Sequence, residues 1–196
     1  VDRPDLDRAW MSEALSRAAA AATRSGQGAS TAVVALARGD SALIGWLGDS
    51  RAGVIDPASR TLCWLTEDHH AVSVTGQPAL SRWLGFTGDP DNPLHTPSLI
   101  EHTLRPGELL MLCSDGVHSA LADEELIELM RESVSIDDLD ATAAWVCDTA
   151  IERGSTDNCT CLLIAPTHAT DPHNTWMETN SCSSDRAEPR KEPDHA

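Results

Sequence analysis

Apolar and small residues at Leu6, Trp10, Met11, Leu15, Ala18, Ala19 and Ala22 recur at helical spacing, which predicts a helix from Pro4 to Arg24. Asp2 can cap it, and Pro4 is tolerated in the first turn. Ser25 to Gly28 ends that pattern, and short β-rich runs follow at Thr31 to Ala37, Ala42 to Leu47, Ala52 to Ile55 and Thr61 to Leu65. Arg38-Gly39-Asp40 and Asp56-Pro57-Ala58-Ser59 lie where hairpin turns belong, so these strands are expected to form an antiparallel meander. Residues 71 to 98 carry no single period: Ala79 to Leu84 fits a short helix, and Gly88 to Pro93 reads as loop. Leu99 to Leu104 and Leu109 to Cys113 flank Arg105-Pro106-Gly107-Glu108, a further strand-turn-strand signature. Asp123 opens a helix carrying Leu126, Ile127, Leu129 and Met130, a second helix spans Ile136 to Glu152, and Cys159 to Ala165 is a final strand. The order of elements is not the alternation of a doubly wound sheet, and it predicts an α+β fold with helices packed on antiparallel sheets. One domain is expected over residues 1–166. Residues 167–196 are polar and Pro-interrupted, and a disordered acidic tail is expected there.

The 196 residues carry 14 Lys and Arg against 31 Asp and Glu, a net charge of −17. That balance excludes a phosphate-backbone binder, so neither nucleic acid nor an anionic membrane is expected as a partner. Part of the surplus is concentrated between Leu121 and Asp140, and it reads as a solvated helical face. No apolar run is long enough to cross a bilayer and no basic segment precedes one, so a soluble, cytoplasmic protein is expected. The six cysteines fall mostly within apolar runs and include no C-x-x-C pair, which argues for small buried thiols.

Three aspartates stand at strand ends in Gly-containing turns. Asp49 lies in Gly48-Asp49-Ser50-Arg51, Asp115 in Ser114-Asp115-Gly116, and Asp157 in Gly154-Ser155-Thr156-Asp157-Asn158. If those ends share one edge of a sandwich, the carboxylates need a cation between them, and all-oxygen ligation suits Mg²⁺ or Mn²⁺. His69 and His70 are adjacent and point in different directions, which favours polar loop packing over ligation.

Over most of residues 9–165 these segments resemble the metal-dependent protein phosphatases, the PPM or type 2C serine/threonine phosphatases. Gly28-Ala29-Ser30-Thr31-Ala32 is similar to the family's G-x-T-A strand entry, and Gly48-Asp49-Ser50-Arg51 to its GDSR turn. Leu65-Thr66-Glu67-Asp68-His69 resembles LTxDH, and Leu80 to Gly85 resembles the piece after the flap. Pro106-Gly107-Glu108 through Leu110 to Gly116 is similar to PGD…LLLCSDG, and Asp157-Asn158-Cys159-Thr160 to DN-x-T. The resemblance implies an αββα four-layer sandwich, incomplete at its N-terminus, with two or more Mn²⁺ or Mg²⁺ ions in a complete domain. It also implies a metal-activated water that attacks phosphoserine or phosphothreonine proteins, the expected partners of a monomer. Asp115 and Asp157 match the core metal ligands, and Asp49 matches the aspartate of an additional, more weakly held metal. No catalytic side chain is assigned. Arg51 reads as an ion-pair partner that holds its turn rather than as a phosphate clamp.

The family also carries an upstream acidic strand with a phosphate-gripping Arg and a D-G-x-G turn, and neither occurs in this chain. The chain is therefore expected to be N-terminally incomplete, or divergent, and inactive alone. A pseudophosphatase that keeps a phosphoprotein-binding or regulatory surface is the alternative. Gly48-Asp49-Ser50 with Asp115-Gly116-Val117-His118 also looks like the motifs of GDS-type serine esterases. The strand that continues after Ser50 speaks against that assignment.

Overall fold

A strand covered on one face alternates buried and exposed residues, whereas a strand covered on both is apolar throughout. Three strands of this chain are of the second kind, and they organise the fold. The computed structural model describes residues 8–25, 29–72, 76, 78–85, 96–132 and 138–166. Helix α1 (Arg8–Ser25) is followed by β1 (Ala32–Arg38), β2 (Ser41–Leu47), β3 (Arg51–Asp56), β4 (Thr61–Trp64), β5 (His70–Val72), β6 (Pro78–Leu80), β7 (Ser98–Thr103) and β8 (Leu109–Cys113). Helices α2 (Asp115–His118), α3 (Asp123–Glu132) and α4 (Leu139–Glu152) precede the last strand, β9 (Cys161–Ile164).

One sheet has the order β1-β2-β7 and the other β4-β3-β8-β9, all pairings being antiparallel. Ala42, Ile44 and Trp46 of β2 meet Ala52 and Val54 of β3 and Leu110 and Leu112 of β8 in the core between the sheets. The opposite parity on β2 gives Leu43, which packs under Met11 and Leu15 of α1. Ile55, Met111, Cys113 and Leu163 turn from the second sheet to Val117, Leu126, Met130, Val146 and Ala150 of the helical segment. The layers are thus helix, sheet, sheet and helices, the α+β sandwich expected from the chain. Met111 and Leu110 are both 0% exposed; burial of a side chain of this size contributes roughly 1.5–3 kcal/mol. The helix ends follow local chemistry. Glu125 accepts the Ala122 N–H at the start of α3, and Asp138 accepts the Ala141 N–H at the start of α4.

Several expected details change. The first four strands do not form a meander: β1 pairs with β2 and β3 with β4, but β2 and β3 lie in different sheets. Both are buried over most of their length, so each needs cover on both faces, and each occupies an inner layer. β7 and β8 likewise lie in different sheets, paired with β2 and β3 respectively rather than with each other. Ala79 to Leu84 is no helix; its start is β6, paired with β5. Helix α2 was not foreseen, and the last strand begins at Cys161 rather than Cys159. The start of the first helix at Pro4, the Gly88–Pro93 loop and residues 167–196 lie outside the described residues. Among the described residues, no helix is long and apolar enough to cross a membrane.

Candidate functional site

The passage from β2 to β3 occupies only Gly48, Asp49 and Ser50. Gly48 has φ 111°, and a Cβ there would come within 2.4 Å of Thr31 Cγ2, so the position demands glycine. His69 closes on this residue from outside the turn. Its backbone N–H donates to Gly48 O at 3.0 Å, and its ring Nδ1 accepts the Gly48 N–H at 3.1 Å. Because Nδ1 accepts, the ring proton sits on Nε2, which donates to Ser98 Oγ at 3.0 Å. The ring stacks on Trp46 at 5.8 Å. Burial, reinforced by the Arg82 cation, pushes its pKa down to about 4, so His69 is neutral at pH 7.

Arg51 continues the clamp. Its Nε and Nη2 donate to the two oxygens of Asp68, both at 2.8 Å, a bidentate pair between β3 and the segment that carries His69. The pair holds the Asp68 carboxyl below its ordinary range and raises the Arg51 pKa. Arg51 is thereby engaged within the fold, the role read for it from the sequence. Its guanidinium lies 5.4 Å from the Trp64 ring, and the Trp64 ring meets the edge of His118 at 6.1 Å. His118 Nε2 donates to the Asp49 carbonyl at 2.9 Å, so the Asp49 turn is tied to α2 as well. Ser50 Oγ shares a hydrogen bond with Thr31 Oγ1 at 2.8 Å. Ser50 and His118 are therefore committed to different partners, and the Ser–His contact that an esterase would need is absent among the described residues.

The second pair of turns meets at the end of β8 and before β9. Ser114 N–H donates to Thr160 O at 3.1 Å, Thr160 N–H to Ser114 Oγ at 3.0 Å, and Ser114 Oγ to Asn158 O at 2.9 Å. Gly116 sits against this loop: an added Cβ would lie 2.6 Å from Asn158 O, and Gly116 O accepts from Ser155 Oγ at 2.8 Å. The loops carrying Asp115 and Asp157 are thus drawn onto one another. Both aspartates line a cavity of about 410 Å³ together with Gly116, Ser119, Ala120, Arg153, Gly154, Ser155 and Thr156. In each, Oδ1 accepts the next residue's N–H, at 2.9 Å in Asp115 and 2.7 Å in Asp157. Oδ2 of each has no hydrogen-bond partner among the described residues, which leaves an oxygen of the type a hard divalent cation takes.

Asp49 does not line that cavity. Its Oδ2 lies 3.5 Å from His70 Nε2, which is also 4.0 Å from Asp68 through Nδ1. Among the described residues no three His, Cys, Asp or Glu side chains stand close enough to hold a metal ion as a set. Ser155 and Thr156 belong to the Gly154–Asn158 turn read from the sequence, whereas Arg153, just before it, carries no sequence signal of its own. Arg153 is occupied by Glu125 at 2.7 Å.

Comparison with known proteins supplies an independent measure. The family model described as Protein phosphatase 2C matches residues 3–148. A protein phosphatase 2C-type protein of Streptococcus pyogenes serotype M6 is 29% identical over 149 residues, covering 71% of this chain and 58% of the relative. Bovine (Bos taurus) protein phosphatase 1B is 28% identical over 151 residues, covering 62% of this chain and 31% of the relative. The chain therefore spans between about a third and three fifths of the length of these relatives. The solved structure of the Streptococcus agalactiae serine/threonine phosphatase superimposes with a TM-score of 0.69 at 23% identity, covering 83% of this chain and 73% of that one, a likeness in fold.

Two consequences of the clamp can be measured. The His69 pKa of about 4 lies below its ordinary 6.5, so the folded state binds fewer protons than the unfolded one. The stability this group confers is complete above pH 6.5 and is lost as pH falls towards 4. Urea midpoints should drop across that window, and His69→Asn, which retains an acceptor for Gly48 but does not titrate, should flatten the dependence. Arg51→Ala and Asp68→Ala should each destabilise by about 2 kcal/mol, with a coupling of about 1–3 kcal/mol in the double-mutant cycle; additive effects in urea unfolding would contradict the pairing.

Proposed function

The chain belongs to the protein phosphatase 2C family, and from that premise we propose that it serves a metal-dependent protein serine/threonine phosphatase in which Asp115 and Asp157 hold Mn²⁺ or Mg²⁺. The observation that supports this reading is the shared cavity, where each of these aspartates keeps one oxygen tied to backbone and the other without a partner. The donor set fits a hard cation, which prefers carboxylate oxygens to nitrogen or sulfur. When bound, the metal supplies activation of water and neutralisation of charge on phosphoryl oxygens.

The residues of this chain position that chemistry. Gly116 and the Ser114–Thr160 contacts hold the two carboxylates on one cavity wall. Asp49, fixed through its carbonyl by His118 and flanked by His70, serves a further and weaker metal position. The substrates proposed are phosphoserine and phosphothreonine proteins, met by a cytoplasmic monomer whose net charge of −17 disfavours self-association.

A pseudophosphatase is the second reading. It is favoured by the lack, among the described residues, of a three-residue donor set. On either reading these 196 residues alone are expected to release no phosphate from a phosphothreonine peptide beyond a metal-only control.

Calorimetric titration with Mn²⁺ tests the metal assignment. Asp115→Asn and Asp157→Asn should each weaken binding by about tenfold or more. Asp123→Asn, on the acidic face of α3, should leave it unchanged. Equal binding by all three variants would remove the assignment. Phosphopeptide binding that needs no metal would favour the pseudophosphatase, and stoichiometric Mn²⁺ binding with turnover would overturn the expected inactivity of the chain.

A further inference from the structure

Directly beneath the two aspartate loops, four cysteines enter the same layer. Cys113 ends β8, Cys161 begins β9, Cys147 lies on α4, and Cys159 stands in the loop before β9. All four pack in or against the core under the helices, and all are free thiols. One pair is distinguished by register. Cys113 and Cys161 are direct cross-strand partners. Ser114 N–H donates to Thr160 O, which makes 114 and 160 the hydrogen-bonded pair. Alternation along an antiparallel ladder then makes 113 and 161 a non-hydrogen-bonded pair. In such pairs the Cα atoms stand about 4.5 Å apart and the side chains approach most closely. A disulfide requires a Cα separation of roughly 4.4–6.8 Å with both Cβ atoms on one side. Opposed residues of a ladder share a face, and both cysteines lie on the side turned to the helices.

We propose that Cys113 and Cys161 are a site of reversible oxidation, forming a cross-strand disulfide at the root of the loops that carry Asp115 and Asp157. The oxidant is a peroxide. Burial disfavours the thiolate in both residues, so oxidation is slow; Cys161, the less buried of the two beside the 2% exposed Cys113, reacts first. Its sulfur displaces hydroxide from hydrogen peroxide and becomes a sulfenic acid, and the Cys113 sulfur then displaces water from that sulfenic acid. Two thiols and one peroxide yield one disulfide and two waters, and a thiol reductant restores the starting state.

The other thiols are placed less well for this bond. Cys159 Sγ is directed to Gly116 O at 3.4 Å, the Cys147 sulfur on α4 lies against the Cys161 backbone N–H and not opposite it in the ladder, and Cys63 is exposed on the edge strand β4. The expected effect is a staple. The strands already hold the required separation, so the bond ties the two loops together without moving the backbone, and unfolding becomes harder. This inference does not depend on the metal assignment.

The test treats the full chain with hydrogen peroxide in buffer free of divalent metal, followed by non-reducing digestion and peptide mass mapping. The result expected is a loss of the mass of two hydrogens, with a single cross-link that fragmentation assigns to Cys113 and Cys161. A reductant should reverse it, and the oxidised protein should show a raised urea midpoint. Cys147→Ala and Cys159→Ala should retain the cross-link, and Cys161→Ala should lose it. A bond through Cys147 or Cys159, stepwise oxygen addition without a cross-link, or an unchanged mass would each overturn the proposal.

Discussion

Between two strands that are buried on both faces, the chain has three residues in which to leave one sheet and enter the other. A glycine in the left-handed region makes the exit possible, and a neutral histidine makes it permanent. Both polar groups of Gly48 are satisfied by His69, one through the backbone and one through the ring, in a place where water cannot serve. The consequences propagate outward. With β2 and β3 assigned to different layers, β7 must join the first sheet and β8 the second, and β8 delivers Asp115 to the end of the sandwich where Asp49 also lies. The Arg51–Asp68 pair secures the same crossing from the β3 side, and Trp64 and His118 carry it to α2.

Much of the architecture was legible along the chain. Strand positions from Thr31 to Leu65 and the helices at Asp123 and before Glu152 agree with the hydrophobic spacing to within a few residues. Partnership was not legible, because a strand's own residues report which faces are covered and not which neighbour covers them. β2 and β3 are apolar on both faces, so they carry no alternation that would have separated a hairpin from a crossing. Helix α2 is only four residues long, too short to display a period. Ala79 and Leu80 fit a helix equally well until β5 is seen beside them.

The site divides in the same way. That Asp115 and Asp157 stand in turns at strand ends was readable from Gly116 and Gly154, and the cavity they share follows from the close approach that Gly116 permits. The roles of His69 and Arg51 depend on contacts across long separations. A pair of adjacent histidines gives no sign of which one turns inward, yet one is buried against Trp46 and the other faces two carboxylates. The cysteines illustrate a further limit: as apolar residues they are ordinary core, and only the register of β8 against β9 sets Cys113 opposite Cys161.

This folding route draws two separate loops onto one cavity wall, the wall proposed to hold the cation. Paramagnetic broadening of backbone amide signals during Mn²⁺ titration tests it most directly, because it maps the ion without reference to activity. Broadening should begin at residues 115–119 and 153–158 together, at the lowest Mn²⁺ concentrations. Broadening centred first on Asp123 to Glu132, the acidic face of α3, with the two loops unaffected, would contradict it.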